Sequence, residues 1–131
     1  MDIEVSEGVL AHFRRPCRVG RWDPALAAVG TGWAGSPESG NLLRLQIRVA
    51  DDTIVDSRFK AFGSAWTIAA GSYLAETLVG KTLEEALHLD DNEIAAALAL
   101  PPLKIRAAVL AVSACRSAVG DFREKNRSNI V

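Results

Sequence analysis

The sequence predicts an α+β fold, a small three-stranded antiparallel sheet with helices packed mainly on one of its faces. Two observations lead to this fold class: an alternating strand with its hairpin partner near the middle of the chain, and apolar helical segments after it. The length of 131 residues, of which 49% are hydrophobic, suits one sizeable core. We therefore assign residues 1–131 to a single domain.

The first predicted element is a short amphipathic helix. Residues 6–15 place three apolar side chains on one face of a helix, those of Val9, Leu10 and Phe13. Pro16 follows and cannot continue a helix. We expect this helix to end near residue 15 and to dock on a larger body.

The clearest strand covers residues 43–49, where four aliphatic side chains alternate with three polar ones. Asp51 and Asp52 supply a turn, and residues 53–62 are rich in β-branched and aromatic side chains. The two runs therefore predict an antiparallel hairpin. An earlier strand around residues 27–33 is expected to pair alongside it.

An almost wholly uncharged stretch of the chain predicts a buried helix. Residues 65–79 contain only one charged side chain, that of Glu76, and Gly80 follows as a C-cap. Ser64 precedes the run and is suited to be its N-cap. This helix is expected to lie on the sheet.

The C-terminal third of the chain predicts three more helices. Two short ones are expected to begin near Thr82 and Asp90, where capping-box spacing occurs. After a proline pair, a last helix is expected from Leu103 to about Val119. The polar tail after Phe122 is expected to fray.

Composition and charge exclude several classes of function. Fifteen basic and sixteen acidic residues are mixed along the chain, so neither a nucleic acid nor a membrane surface is expected as a partner. Residues 1–4 are acidic and lack the features of a signal peptide, which predicts a cytoplasmic protein. Cys17 and Cys115 form no CxxC motif and are expected to be free thiols.

Catalytic motifs are not found, and we predict that the protein is not an enzyme. His12 and His88 have no catalytic partner that the sequence can assign. Residues 30–35 match GxGxxG, but a turn and a strand follow them where a nucleotide site requires a helix. Three tryptophans could form a ligand platform, complete the core or mark a protein contact: Trp22, Trp33 and Trp66.

A short segment suggests a family. Residues 100–104 resemble the LPPVK loop of the IscU/NifU-type iron-sulfur cluster assembly scaffolds, which in that family is bound by a specialised Hsp70-type chaperone. Residues 6–20, 29–32 and 58–63 are similar to further family motifs in the same order. The resemblance implies the family's scaffold function and fold, and a chaperone-binding loop formed by Leu100, Pro101, Pro102, Leu103 and Lys104.

The resemblance also implies where the cluster ligands of the family would lie. Ser39, Ser64 and Ala107 stand where the family has cysteines, Asn41 where it has an aspartate, and Arg106 where it has a histidine. A serine hydroxyl is un-ionised at neutral pH and arginine has no lone pair to donate. We therefore expect a degenerate site without the family's cysteine ligands, with no metal and no cofactor, although the family would imply an iron-sulfur cluster, iron or zinc.

The charge expected at this site is positive. Lys104 and Arg106 lie at the start of a helix, where the helix dipole is already positive. A cation should be repelled there and an anion attracted. A cluster site relocated to Cys17 and Cys115 would require the two thiols to converge with further ligands.

Three functions remain open at this point. The first is a non-cluster-binding adaptor, decoy or regulator of iron-sulfur biogenesis, whose partners by resemblance are the Hsp70-type chaperone and a cysteine desulfurase. The second is a binding module for an anion or small polar ligand at the former cluster pocket. The third is residual binding of iron or a cluster shared with a partner that supplies thiolates.

Overall fold

The computed structural model describes residues 5–127, and the acidic residues 1–4 lie outside that range. Its elements follow the predicted order of helix, three strands and helices. They are α1 (Glu7–Arg14), β1 (Val29–Ser36), β2 (Asn41–Ala50), β3 (Thr53–Phe62), α2 (Ala65–Leu78), α3 (Leu83–Leu87), α4 (Asp91–Ala97), a 3-10 turn (Pro102–Lys104) and α5 (Arg106–Asn126).

The sheet confirms the predicted antiparallel arrangement, with strand order β1-β2-β3. Asp51 and Asp52 both adopt positive φ angles, of 50° and 64°, which gives the tight turn between β2 and β3. The alternation along β2 buries Leu43, Leu45 and Ile47 on the face that carries the helices. The α+β prediction is therefore confirmed.

Helices α2 and α5 cover the same face of the sheet, and two glycines set how closely α5 approaches β1. A Cβ atom on Gly30 would lie 2.2 Å from the carbonyl oxygen of Ala118, and one on Gly32 would lie 2.2 Å from that of Ala114. Both glycines belong to the GxGxxG match, which lies inside β1. Close strand-to-helix packing accounts for these two glycines without a nucleotide.

Helix α5 differs from its prediction at both ends. It begins at Arg106 rather than Leu103, because the amide of Lys104 donates to the carbonyl of Pro101 in a 3-10 turn. It continues to Asn126, so the expected fraying does not begin at Phe122, and residues 128–131 of the polar tail lie outside the described residues. The last turn is held because Lys125 Nζ donates to the carbonyl of Val29 at 2.6 Å, and because side chains of this turn also bond the carbonyls of Pro24, Leu26 and Ala27.

None of the helices within residues 5–127 combines the length and the hydropathy needed to cross a bilayer.

Candidate functional site

A cavity of about 610 Å³ lies between the β1–β2 turn, the start of α2 and the start of α5. The five positions that the resemblance assigned to the family's cluster site all line it, although they come from three separate parts of the chain. They are Ser39, Asn41, Ser64, Arg106 and Ala107. The structure therefore brings these residues together around one space.

The two serines in the cavity are engaged in local structure. Ser39 Oγ lies 2.9 Å from the carbonyl oxygen of Ser36 and accepts a hydrogen bond from the amide of Asn41 at 3.2 Å. Ser64 Oγ accepts from the amide of Thr67 at 3.3 Å and is the N-cap of α2, as the sequence predicted. Both hydroxyls therefore serve a turn or a cap.

Asn41 ties the turn to the start of α2. Its Oδ1 accepts from the hydroxyl of Thr67 at 2.8 Å and from the amide of Ser64 at 3.3 Å. The side chain of Thr67 is itself buried. Asn41 thus acts as a structural bridge between the β1–β2 turn and α2.

The charge of the cavity is positive. Lys104 and Arg106 both line it, and the part of the chain that the structure describes contributes no acidic side chain to its wall. Lys104 Nζ lies 4.5 Å from the ring centroid of Trp66, within cation-π range. Trp66 Nε1 is buried without a hydrogen-bond partner among the described residues. The wall therefore presents two cationic side chains.

The proline-containing segment of residues 100–104 lies at the rim of this cavity. Leu100 is buried and its amide donates to the carbonyl of Ala95 at 2.9 Å, which anchors the start of the segment. Pro102 is exposed, and Leu103 is the most exposed of the large apolar side chains described, at 79%. The segment thus has a fixed base and an exposed apolar tip.

The three tryptophans are each stacked on different cations. Trp22 lies against Arg48 and Arg58 on the sheet face away from the helices. Trp33 pairs with Arg44, at 5.8 Å, and Trp66 lies in the cavity. They do not form one joint platform.

A second group of polar side chains, which sequence reasoning missed, lies where α1 packs on α2. One ligand atom each from His12, Cys17 and Glu76 lies within 4.8 Å of the other two. The thiol of Cys17 donates to Glu76 Oε2 at 3.1 Å. His12 Nδ1 and the amide of Cys17 each lie 2.7 Å from the hydroxyl of Ser72, which is fully buried.

Burial and hydrogen bonding affect the two thiols differently. Burial, and then the hydrogen bond to Glu76, raises the pKa of Cys17. Deeper burial raises the pKa of Cys115 to about 11, and its sulfur contacts only the carbonyl of Ala86, at 3.6 Å, among the described hydrogen-bond acceptors. Cys115 does not belong to the group formed by His12, Cys17 and Glu76, so no relocated site with both cysteines is found within residues 5–127.

Comparison with known proteins identifies the family. The model of the NifU-like N terminal domain family matches residues 4–129, and the chain belongs to that family. The iron-sulfur cluster assembly scaffold protein IscU of Rickettsia prowazekii is 39% identical over 94% of this chain and 95% of its own length. IscU of Azotobacter vinelandii is 42% identical over 92% of this chain and 94% of its own length.

A solved structure supports the fold. The N-terminal part of a NifU-like protein from Brucella abortus superposes with a TM-score of 0.68, covering 92% of this chain and 94% of that chain, at 18% identity. This likeness confirms the three-stranded sheet with its helices. The iron-sulfur scaffold family is thereby shown by sequence, and its fold by structure.

The expectation that the protein has no metal and no cofactor is wrong. Curated relatives of this chain are named as iron-sulfur cluster assembly scaffolds, and His12, Cys17 and Glu76 form a group of donors that could hold a metal ion. The expected lack of cysteine ligands is correct only in part. The cavity wall presents no thiol among the described residues, yet Cys17 lies with two other potential ligands elsewhere.

Proposed function

We propose that this member of the scaffold family acts in iron-sulfur biogenesis through contacts with protein partners, as an adaptor or regulator, rather than by building a thiolate-held cluster in the cavity. One observation carries the proposal: an exposed segment similar to the family's chaperone-binding loop lies beside a cavity whose family cysteine positions are Ser39, Ser64 and Ala107. The recognition element is kept and the thiolates are replaced.

The chemistry of the cavity supports this role. Iron-sulfur clusters are held by thiolates, which are soft anionic ligands. Ser39 and Ser64 offer neutral hydroxyls that already serve the turn and the helix cap, and Ala107 offers no donor atom. Lys104 and Arg106 add positive charge where incoming iron would have to sit. The cavity is thus poorly suited to assemble a cluster as cargo.

The shape of residues 100–104, at the rim of the cavity, supports binding to a protein partner. Its anchored Leu100 and exposed Leu103 present a short apolar tip on a proline-stiffened backbone. Such a tip is suited to a groove that accepts an extended peptide. We assign the Hsp70-type chaperone of the family as the first partner and the cysteine desulfurase as the second.

Binding to the chaperone tests this role directly. Fluorescence anisotropy would measure the affinity of the labelled chain for the family's Hsp70-type chaperone, before and after Leu103→Ala. We expect the variant to bind about tenfold more weakly, which corresponds to a loss of roughly 1.4 kcal/mol of binding free energy. Leu26→Ala is the matched control, because Leu26 is another exposed leucine, at 49%, outside the segment.

Two results would contradict the adaptor role. One is equal or absent chaperone binding for the parent and the Leu103→Ala variant. The other is efficient cluster assembly in the cavity when the chain is incubated anaerobically with desulfurase, cysteine and iron. Visible absorbance and sulfide analysis would detect such a cluster, and Ser64→Ala and Arg106→Ala would show whether it sits in the cavity.

The positive wall of the cavity favours a second candidate function, the binding of an anion. Lys104 and Arg106 are cationic donors without an acidic neighbour in the described wall. Phosphate or citrate should then raise the melting temperature of the protein. Arg106→Gln should remove this shift and Arg116→Gln, an exposed arginine further along α5, should keep it. An equal shift of the melting temperature in both variants would exclude the cavity as the anion-binding site.

A further inference from the structure

We propose that His12, Cys17 and Glu76 form a binding site for a divalent metal ion of the zinc class, at the end of α2 opposite the cavity. The three ligands come from α1, from the turn that follows it and from α2. This site is independent of the adaptor function proposed above, because it uses none of the cavity residues.

The spacing of the donors suits a tetrahedral ion. Metal-to-ligand distances of about 2.0–2.3 Å place neighbouring ligand atoms about 3.5 Å apart in a tetrahedral zinc site. Cys17 Sγ and Glu76 Oε2 are 3.1 Å apart, and the atom from His12 lies within 4.8 Å of both. Because Glu76 is exposed, its carboxylate is the ligand that can rotate toward the imidazole to close the site.

The ligand types also favour zinc. A thiolate, an imidazole and a carboxylate are the side chains that bind Zn²⁺ in proteins. The negative charges of Cys17 and Glu76 would together balance a divalent cation. Arg18, the residue after Cys17, is engaged elsewhere, because its guanidinium lies 2.6 Å from Asp56. Three protein ligands leave a fourth position for water or for a ligand from another molecule.

A buried residue behind the ligands orients two of them. The hydroxyl of Ser72 contacts His12 Nδ1 and the amide of Cys17, both at 2.7 Å. When Nδ1 carries the ring proton and donates a hydrogen bond to Ser72 Oγ, Nε2 keeps the lone pair that can bind the metal ion. The His12 ring also packs in a T-shaped arrangement against the ring of Tyr73, with centroids 5.8 Å apart. The imidazole is thus held in place before any metal arrives.

The site is distant from the cavity. Ser64 and Glu76 are twelve residues apart on α2, which is about 18 Å along the helix axis. An ion at the second site would not touch Lys104 or Arg106. The protein would therefore bring its metal ligands and its positive cavity to opposite ends of one helix.

Titration with Zn²⁺ and with Co²⁺ tests the site. The full chain, made without a histidine tag and freed of metal, would be titrated with Zn²⁺ against a chromophoric chelator. Co²⁺ should give a thiolate-to-cobalt charge-transfer band at one equivalent. We expect Cys17→Ser to abolish the band, and His12→Gln and Glu76→Gln to weaken Zn²⁺ binding by more than about tenfold.

His88→Gln is the matched control, because His88 lies at the end of α3. It should bind both ions as the parent does. The proposal is overturned if the parent binds no ion at one equivalent, or if Cys17→Ser leaves the cobalt band unchanged. Should Cys17→Ser or His12→Gln fail to fold by circular dichroism, Glu76→Gln decides, because Glu76 is exposed and its loss leaves the packing intact.

Discussion

The two ends of α2 use similar polar side chains for different purposes. At its start, Ser64 and Asn41 satisfy backbone and hydroxyl groups around a positive cavity. In its second half, from Ser72 to Glu76, the buried Ser72 orients an imidazole and a backbone amide beside a thiol and a carboxylate. The two ends thus differ in the donors that they present: the cavity wall has no thiol among the described residues, and the other end has a thiol beside a carboxylate and an imidazole.

The largest expected effect is gained Zn²⁺ binding when thiols are placed at the cavity. It would remove the difference between the two ends of α2. A triple variant with Ser39→Cys, Ser64→Cys and Ala107→Cys should bind one more equivalent of Zn²⁺ than its parent, because all three positions line one space. Metal titration in a Cys17→Ser background measures the added equivalent. The single variant Ser64→Cys is the control and should add none. A triple variant with no added equivalent would show that these positions cannot converge on an ion.

Removing the hydroxyl of Ser72 should give the next largest effect. Ser72→Ala leaves the amide of Cys17 without its acceptor in a buried place, and the free energy of unfolding should fall by about 2–3 kcal/mol. Zn²⁺ affinity should fall with it, because the imidazole loses its orienting partner. Urea denaturation and metal titration are the measurements. Ser113→Ala, on the exposed face of α5, should change neither, and equal effects of the two variants would contradict the role of Ser72.

A smaller effect is expected at the cavity end. Asn41→Ala removes the acceptor of Thr67 Oγ1 and of the Ser64 amide, and should lower the free energy of unfolding by about 1–2 kcal/mol. Zn²⁺ binding near Glu76 should remain unchanged, which separates the two ends. Asn92→Ala, an exposed asparagine of α4, serves as the control. A loss of Zn²⁺ affinity in Asn41→Ala would show that the ends are coupled.

The smallest effect is expected at Asp56, which forms an ion pair with Arg18, the residue after Cys17. Burial alone would raise the pKa of Asp56, but the amide of Ser57 and the guanidinium groups of Arg58 and Arg18 lower it overall. The resulting stability is present above the ordinary pKa, near 3.9, and is lost as pH falls through the lowered value.

Asp56→Asn should therefore lower the free energy of unfolding by about 1 kcal/mol at neutral pH. The difference from the parent should shrink as pH falls below about 4, because Asp56 of the unfolded parent takes up a proton there while the folded parent keeps its carboxylate. Urea denaturation from pH 3 to 7 measures it, with the exposed Glu38→Gln as control. A difference that stays constant down to pH 3 would contradict the role of the carboxylate charge.

Local patterns predicted most of the fold. The alternation along residues 43–49, the aspartate turn and the uncharged run of α2 each depend on neighbours in sequence, and each was confirmed. The length of α5 was missed because its last turn is stabilised by distant carbonyls, among them that of Val29, which Lys125 reaches across the fold. Long-range contacts of this kind leave no periodic signal.

One candidate site could be predicted from the sequence and the other could not. The cavity positions could be predicted because the resemblance supplied their register, and the structure places them together. His12, Cys17 and Glu76 could not be joined, since only the packing of α1 on α2 brings them within reach. The one available signal was Glu76, a single charge in an apolar helix, next to the expected docking helix.

The stacking of Lys104 on Trp66 gives the protein an optical consequence. An indole in contact with an ammonium group, in a cavity rimmed by the proline-containing segment, should change its emission whenever a partner or an anion moves Lys104. Trp22 and Trp33 are stacked on arginines of the sheet, away from that movement. Replacing those two by phenylalanine would leave a chain whose remaining fluorescence reports on one place only, without any added label.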